Sequence, residues 1–247
     1  MRILLTRPQA QSQELGTVLE GHGIEWLGEP LLRIVPVPWD PGTLAGKQAL
    51  LLTSPNASRE LLRVPGGRRD LPIHVVGPGT AAPLLAAGFT DVQAAGGTAV
   101  DLIAHVRRRV DPRAGRLLHL SGHDITRDLA VALAPAGFVV DRVVAYRAAA
   151  VERLSAEVMR AISRNRIDAA VFLSARTAAI FRDLVITSGI ADACARMTAI
   201  AISRKVATEL RPAVFSRVVA AGTPCLDGVV DAVLRVASKG VPGPQGG

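Results

Sequence analysis

Ala49-Leu50-Leu51-Leu52-Thr53-Ser54-Pro55-Asn56-Ala57 is a short apolar run closed by hydroxylated residues and a proline, and it recurs as Ala170-Val171-Phe172-Leu173-Ser174-Ala175-Arg176-Thr177-Ala178. Each run is too short for a helix, is bounded by turn-forming residues and leads into an amphipathic stretch. It therefore reads as a strand buried on both faces and followed by a helix. Ile3–Leu5, Ile73–Val76, Leu117–Leu120, Ala169–Leu173 and Thr198–Ile202 follow the same rule. Strand and helix alternate throughout, which predicts an α/β fold with parallel strands covered by helices on both faces.

Working outward, three more segments recur in the same order. Arg2-Ile3-Leu4-Leu5-Thr6, a helix reaching Gly21-His22-Gly23 and then Val35-Pro36-Val37 are echoed by Arg116-Leu117-Leu118-His119-Leu120, a helix reaching Ala136-Gly137 and Val143-Val144-Ala145-Tyr146. Ile73-His74-Val75-Val76-Gly77-Pro78-Gly79-Thr80-Ala81 is echoed by Ala199-Ile200-Ala201-Ile202-Ser203-Arg204-Lys205-Val206-Ala207. Ala94-Ala95-Gly96-Gly97-Thr98 is echoed by Ala220-Ala221-Gly222-Thr223-Pro224, with Asp101 and Asp227 following inside each helix. Repetition of four units in one order predicts two copies of one α/β module.

Composition agrees. The 247 residues are 49% hydrophobic, 20% charged and 3% aromatic, which excludes a disordered or fibrous chain. The length suits two small domains. Cys194 and Cys225 lie far apart without any C-x-x-C, so neither a disulfide framework nor a zinc site is indicated, and a reducing compartment fits. Ile3-Leu4-Leu5 is too brief for a signal peptide, and no apolar stretch is long enough to span a membrane, so a cytoplasmic protein is expected. The formal charge of +8 raises the question of nucleic acid. Its densest cluster, Arg107-Arg108-Arg109, ends a predicted helix, where the dipole favours cations, and no aromatic residues interleave with it as a stacking platform requires. No nucleic-acid partner is expected.

Pro36 and Pro38 exclude a central strand but suit a connector or an edge strand, and Tyr146–Val151 follows the repeated first unit in the same way. The Gly/Pro-rich stretch 238–247 is expected to be a disordered tail.

The signatures of common hydrolases, nucleotide and dinucleotide sites and zinc proteases are all missing. What remains are small polar groups at the carboxyl ends of predicted strands, where open α/β sheets place ligands. Thr53, Ser54 and Asn56 stand between a strand and a helix, where a hydroxyl either caps the helix or receives a ligand, two compatible roles. Gly77, Gly79 and Thr80 stand at a similar place, their glycines either admitting a ligand to the backbone or making the turn. Ser121, Gly122 and Ser174 occupy equivalent strand ends. His119 and His123 have no third metal ligand nearby. Tyr146, the only phenol of the chain, is either a strand residue with a wet hydroxyl or a proton donor.

Leu52-Thr53-Ser54-Pro55-Asn56-Ala57, Val76-Gly77-Pro78-Gly79-Thr80-Ala81, Gly96-Gly97-Thr98 before a helix, Leu120-Ser121-Gly122 with Arg127-Asp128-Leu129, and Val143-Val144-Ala145-Tyr146-Arg147 stand in the order found in uroporphyrinogen-III synthases. The chain resembles that family from Ile3 to about Val236. The resemblance implies a bilobed molecule of two similar flavodoxin-like parallel-sheet domains joined by two extended linkers. One lobe would comprise 1–35 with 151–237, the other 40–146, and the crossings would be 36–39 and 147–150. It further implies a monomeric lyase that takes linear hydroxymethylbilane, removes its terminal hydroxyl as water, inverts ring D through a spiro intermediate and closes uroporphyrinogen III, with no cofactor or metal. The partner would be this small polycarboxylate, which also accounts for the positive charge.

Carried over position by position, the resemblance puts Thr53, Ser54, Asn56, Gly77, Gly79, Thr80, Ser121 and Gly122 on one wall of the substrate site and Ser174 on the other. Tyr146 matches the tyrosine that assists departure of the hydroxyl. One stretch departs from the family. Where its second lobe has Ile-Gly-Pro-x-Thr-Ala, this chain has Ile202-Ser203-Arg204-Lys205-Val206-Ala207. Ser203, Arg204 and Lys205 either bind substrate carboxylates in place of backbone amides or mark a decayed site. The latter leaves a different function, a catalytically silent module that binds a tetrapyrrole or other anion or acts as a sensor.

Overall fold

The computed structural model describes residues 1–65, 69–210 and 214–239. Its elements begin with β1 (Arg2–Leu5), α1 (Gln9–Glu20), β2 (Glu25–Gly28), β3 (Leu32–Pro36), β4 (Lys47–Leu52), α2 (Pro55–Leu62), β5 (Ile73–Val75) and α3 (Pro78–Ala86). They continue with β6 (Val92–Ala94), α4 (Ala99–Arg109), β7 (Arg116–Gly122), α5 (Leu129–Leu133), β8 (Val140–Ala150), α6 (Ala156–Ser163) and β9 (Ala169–Phe172). The last are α7 (Ala175–Thr187), α8 (Ala191–Cys194), β10 (Thr198–Ala201), α9 (Arg204–Leu210), β11 (Arg217–Ala220) and α10 (Leu226–Lys239). The chain forms two compact units, one of Met1–Arg33 with the chain from Ala150 onward, the other of Ile34–Ala149.

The first unit holds a five-stranded parallel sheet ordered β11-β10-β9-β1-β2. Counted along the unit this is the 2-1-3-4-5 order of doubly wound, flavodoxin-like folds. The second unit holds six strands ordered β3-β8-β7-β4-β5-β6. Within it, β8-β7-β4-β5-β6 repeats the first unit's order, with β7 and β8 in the places of β1 and β2 although they come last in the chain. The α/β class and the parallel pairing of these two sets of five strands are those expected.

One equivalence differs. The counterpart of β8 is β2, which pairs with β1, whereas Val35 and Pro36 belong to β3, a sixth strand beside β8. β2 leaves no mark in the sequence because it is an edge strand of mixed polarity, Glu25-Trp26-Leu27-Gly28, with no apolar run. The extended stretch at 147–150 is the end of β8. α10 runs to Lys239, so residues 238 and 239 of the expected tail are helical, and 240–247 lie outside the described residues.

Each sheet is sealed on both faces because successive side chains alternate. In the first unit Leu4, Ala170, Phe172, Ala199 and Ala201 pack against α6, α7 and α9, while Ile3, Leu5, Ala169, Val171 and Ile200 face α1 and α10. In the second unit Leu50, Leu52, Ile73, Val75, Leu118 and Leu120 pack against α2 and α3, and Ala49, Leu51 and Leu117 against α4 and α5. Burying one such Leu or Ile contributes about 1.5–3 kcal/mol, which is why the strands are written as unbroken apolar runs. No helix among the described residues is long and apolar enough to cross a membrane.

Candidate active site

In the second unit the strand order reverses between β7 and β4, and the crevice at such a reversal is where doubly wound sheets place ligands. A cavity of 480 Å³ lies there, lined by Thr53 and Ser54 after β4, Val76 after β5, Gly97, Thr98 and Ala99 at the start of α4, Gly122 at the end of β7, Asp124, Ile125 and Thr126 after it, and Tyr146 on β8.

Tyr146 reaches it through an irregularity in the sheet. Ser121 pairs with Val144, but Gly122 pairs with Tyr146, so β8 carries one extra residue against β7. Such a bulge re-aims the side chain that follows. Ala145 is fully buried, and Tyr146 emerges beside the carboxyl end of β7, its carbonyl accepting from the His123 amide at 2.8 Å. The phenol ring lies against the Gly122 backbone, where a Cβ would come within 2.7 Å of Cε2.

The end of β7 is held from β8. Arg142 donates from Nε to the Ser121 hydroxyl at 3.0 Å and from Nη2 to the carbonyls of Gly122 at 2.8 Å and His123 at 2.7 Å. The Ser121 hydroxyl is buried and donates to the Gly122 carbonyl at 3.0 Å. Arg142 has no local sequence signature, since its partners lie across the sheet.

Thr53 Oγ1 lies 3.2 Å from His119 Nε2. Burial first, and the charge of Arg142 second, push His119 down to about 4, so it is a neutral imidazole at neutral pH. Ser54 caps α2, its hydroxyl accepting from the Asn56 amide at 3.2 Å. Thr98 caps α4 in a capping box, its hydroxyl accepting from the Asp101 amide at 3.2 Å while the Asp101 carboxylate accepts from the Thr98 amide at 3.0 Å. The starts of α2 and α4 thus border the cavity, and helix starts favour anions. Gly97 has φ +114, open to glycine, and a Cβ on Gly77 would meet the Gly97 Cα at 3.2 Å. The two glycines let the loops after β5 and β6 approach closely.

The expected site residues are therefore distributed unevenly. Thr53, Ser54, Gly122 and Tyr146 line the cavity together. Asn56 instead accepts from Arg59 at 2.9 Å, Thr80 is buried with its carbonyl accepting from Ser58 at 2.8 Å, and Gly77 and Gly79 open α3. In the first unit Ser174 caps α7, accepting from the Thr177 amide at 3.1 Å, and Ser203 accepts from the Val206 amide at 3.4 Å. Arg204 lines a separate cavity of 440 Å³ with Ala207, Thr208 and Ala220, while Lys205 is exposed on α9. Gly97, Thr98 and the 124–126 segment join the site without having been expected there, although Gly96-Gly97-Thr98 is legible as a turn before a helix. Among the described residues no group of three His, Cys, Asp or Glu side chains could hold a metal ion.

Residues 13–231 match the family described as uroporphyrinogen-III synthase HemD. The chain belongs to the uroporphyrinogen-III synthase family. Solved structures of uroporphyrinogen-III synthases match the chain over nearly its whole length, and the first of them shares its fold. The enzyme from Helicobacter pylori 26695 is 18% identical, with a TM-score of 0.57 over 96% of this chain and 100% of that one. A mutant of the enzyme from the extremely thermophilic bacterium Thermus thermophilus is 21% identical, with a TM-score of 0.48 over 97% of this chain and 99% of that one. No curated protein matches. Membership in the uroporphyrinogen-III synthase family, an enzyme family of tetrapyrrole biosynthesis, favours the catalytic reading over a silent module. It also places a small tetrapyrrole as the kind of molecule the family acts on.

Proposed function

We propose that the chain cyclises hydroxymethylbilane to uroporphyrinogen III, acting as a hydro-lyase with Tyr146 at the reacting end of the bilane. The observation that carries this reading is the position of Tyr146 in the cavity at the switch point of the second unit. A phenol can donate its proton to the departing hydroxyl directly or through water. The hydroxyl leaves as water, and the face of the ring stabilises the azafulvenium cation left behind.

Because the freed bilane closes spontaneously to the uninverted isomer, the enzyme's task is largely to hold one conformation of a flexible chain. Substrate carboxylates are received by the amides at the starts of α2 and α4 and by the Thr53 hydroxyl, whose orientation His119 sets. In this reading Gly77, Gly79, Thr80, Asn56 and Ser121 act by shaping the loops around the cavity, and Ser174, Ser203, Arg204 and Lys205 receive carboxylates on the first unit. The two units are the family's two lobes, the protein works as a monomer in the cytoplasm, and it needs no cofactor. Supplying enzymatically generated bilane and resolving the products by chromatography tests the proposal. Uroporphyrinogen III is expected, and type I alone would leave the silent module standing.

A further inference from the structure

Arg142 occupies the point at which three features of the cavity wall meet. Its guanidinium grips the Ser121 hydroxyl and the carbonyl of Gly122 at the end of β7 and the carbonyl of His123 just past it. The Gly122 carbonyl belongs to the residue on which the Tyr146 ring rests. The His123 carbonyl begins the segment whose next residues, Asp124, Ile125 and Thr126, line the cavity. A planar fork with several donors fixes three acceptors at once, which a lysine ammonium on a flexible stem does not.

The base of this fork is itself fixed. The preceding residue, Asp141, accepts from Lys47 on β4 at 2.5 Å and from Arg116 on β7, where the Nε contact is 2.8 Å. Both cations hold the Asp141 carboxyl well below the usual carboxylate range. The charge of Arg142 also reaches His119, the partner of the Thr53 hydroxyl.

We propose that Arg142 is a positioning residue for the cyclisation, holding the end of β7 so that the Tyr146 phenol and the 124–126 segment keep the geometry that commits the bilane to the inverted product. The proposal rests on the reading of Tyr146 given above. Arg142 touches no substrate in it and acts through Gly122 and His123.

The test is a double-mutant cycle in the full chain between Arg142→Lys and Tyr146→Phe, with kcat, KM and the type III to type I ratio measured alongside thermal melts. Arg142→Lys is expected to lower kcat at least tenfold with KM within about twofold, and to raise the share of type I product. Combined with Tyr146→Phe, it should cost much less than the product of the two separate losses, because once the hydroxyl is gone there is no proton donor left for Arg142 to place. Arg142→Gln repeats the cycle without the charge, and Arg142→Lys carries it alone should the Gln variant fail to fold. Losses that multiply, or a loss confined to KM or to the melting temperature, would overturn the positioning role while leaving the reading of Tyr146 intact. Unchanged kcat in Tyr146→Phe would instead overturn that reading and this proposal with it.

Discussion

Gly122 on β7 and Tyr146 on β8 are register partners past the bulge, and a methyl group added at 122 would stand 2.7 Å from Cε2 of the ring and 3.1 Å from its hydroxyl. The ring lies where it does because position 122 has no side chain. Gly122→Ala must therefore displace the ring. Overpacking of this kind costs about 1–3 kcal/mol, and the movement of the phenol is expected to lower kcat about tenfold or more. Thermal melts and steady-state bilane turnover measure the two effects separately. A variant with wild-type kcat would show that the position of the ring is immaterial.

Tyr146→Phe keeps the ring and removes only the hydroxyl. Its folding is expected to be intact, because the half-buried side chain packs against the core of the second unit and phenylalanine keeps that packing. Proton donation typically contributes 10²-fold or more, so kcat should fall by about that factor while KM changes little. Wild-type kinetics in the cyclisation assay would remove Tyr146 from the mechanism.

Much of this arrangement can be read from the chain, and the reason is physical. β4, β9 and β10 are covered on both faces, so their burial is written as apolar runs, and the first two runs end at residues that the site or a helix cap uses, Thr53 and Ser54 after β4 and Ser174 after β9. The edge strand β2 has no such run and stays hidden. The bulge that turns Tyr146 outward could not be read, because it is a mismatch between two strands and neither strand alone records it. The same holds for Arg142, whose three acceptors lie about twenty residues away at the end of β7 and just past it and form no motif. Asn56 and Thr80 look like ligand-binding groups in the sequence, yet the folded chain gives Asn56 to Arg59 and buries Thr80.

Acid should destabilise the protein well above the carboxylate range. Burial first, then Arg142, pushes His119 down to about 4, and burial first, then His105, does the same to His74, whose Nδ1 lies 3.1 Å from His105 Nε2. In the unfolded chain both imidazoles take up a proton near pH ~6.5. Between about pH 6.5 and 4 the unfolded state therefore binds protons that the folded state refuses, and stability falls as pH falls. The loss at His119 is on the order of 3 kcal/mol by pH ~4, with His74 acting in the same direction, and above pH ~7 the contribution is constant. Melting temperatures across this range should drop on the acid side, and His119→Gln should flatten the curve. A wild-type profile that stays level down to pH ~4.5 would contradict the burial of these rings.

The replacement of a glycine and a hydroxyl by Ser203-Arg204-Lys205 can be judged by its two cations, because the structure treats them differently. Both are exposed, but Arg204 lines a cavity beside Ala220 at the end of β11, whereas Lys205 lines none of the cavities described. If the cations replace backbone amides as receivers of substrate carboxylates, Arg204→Gln should raise KM for the bilane by about twofold to fivefold, the scale of one exposed charge contact. Lys205→Gln should do less, and kcat should stay close to wild type in both because neither charge touches the reacting carbon. The wild-type KM should also rise with ionic strength, since exposed charges are screened over ~8–10 Å at physiological salt, and Arg204→Gln should blunt that rise. Equal KM values in all three proteins, with no dependence on salt, would mean that this edge of the first unit has stopped binding substrate and that recognition is left to the amides and hydroxyls around Tyr146.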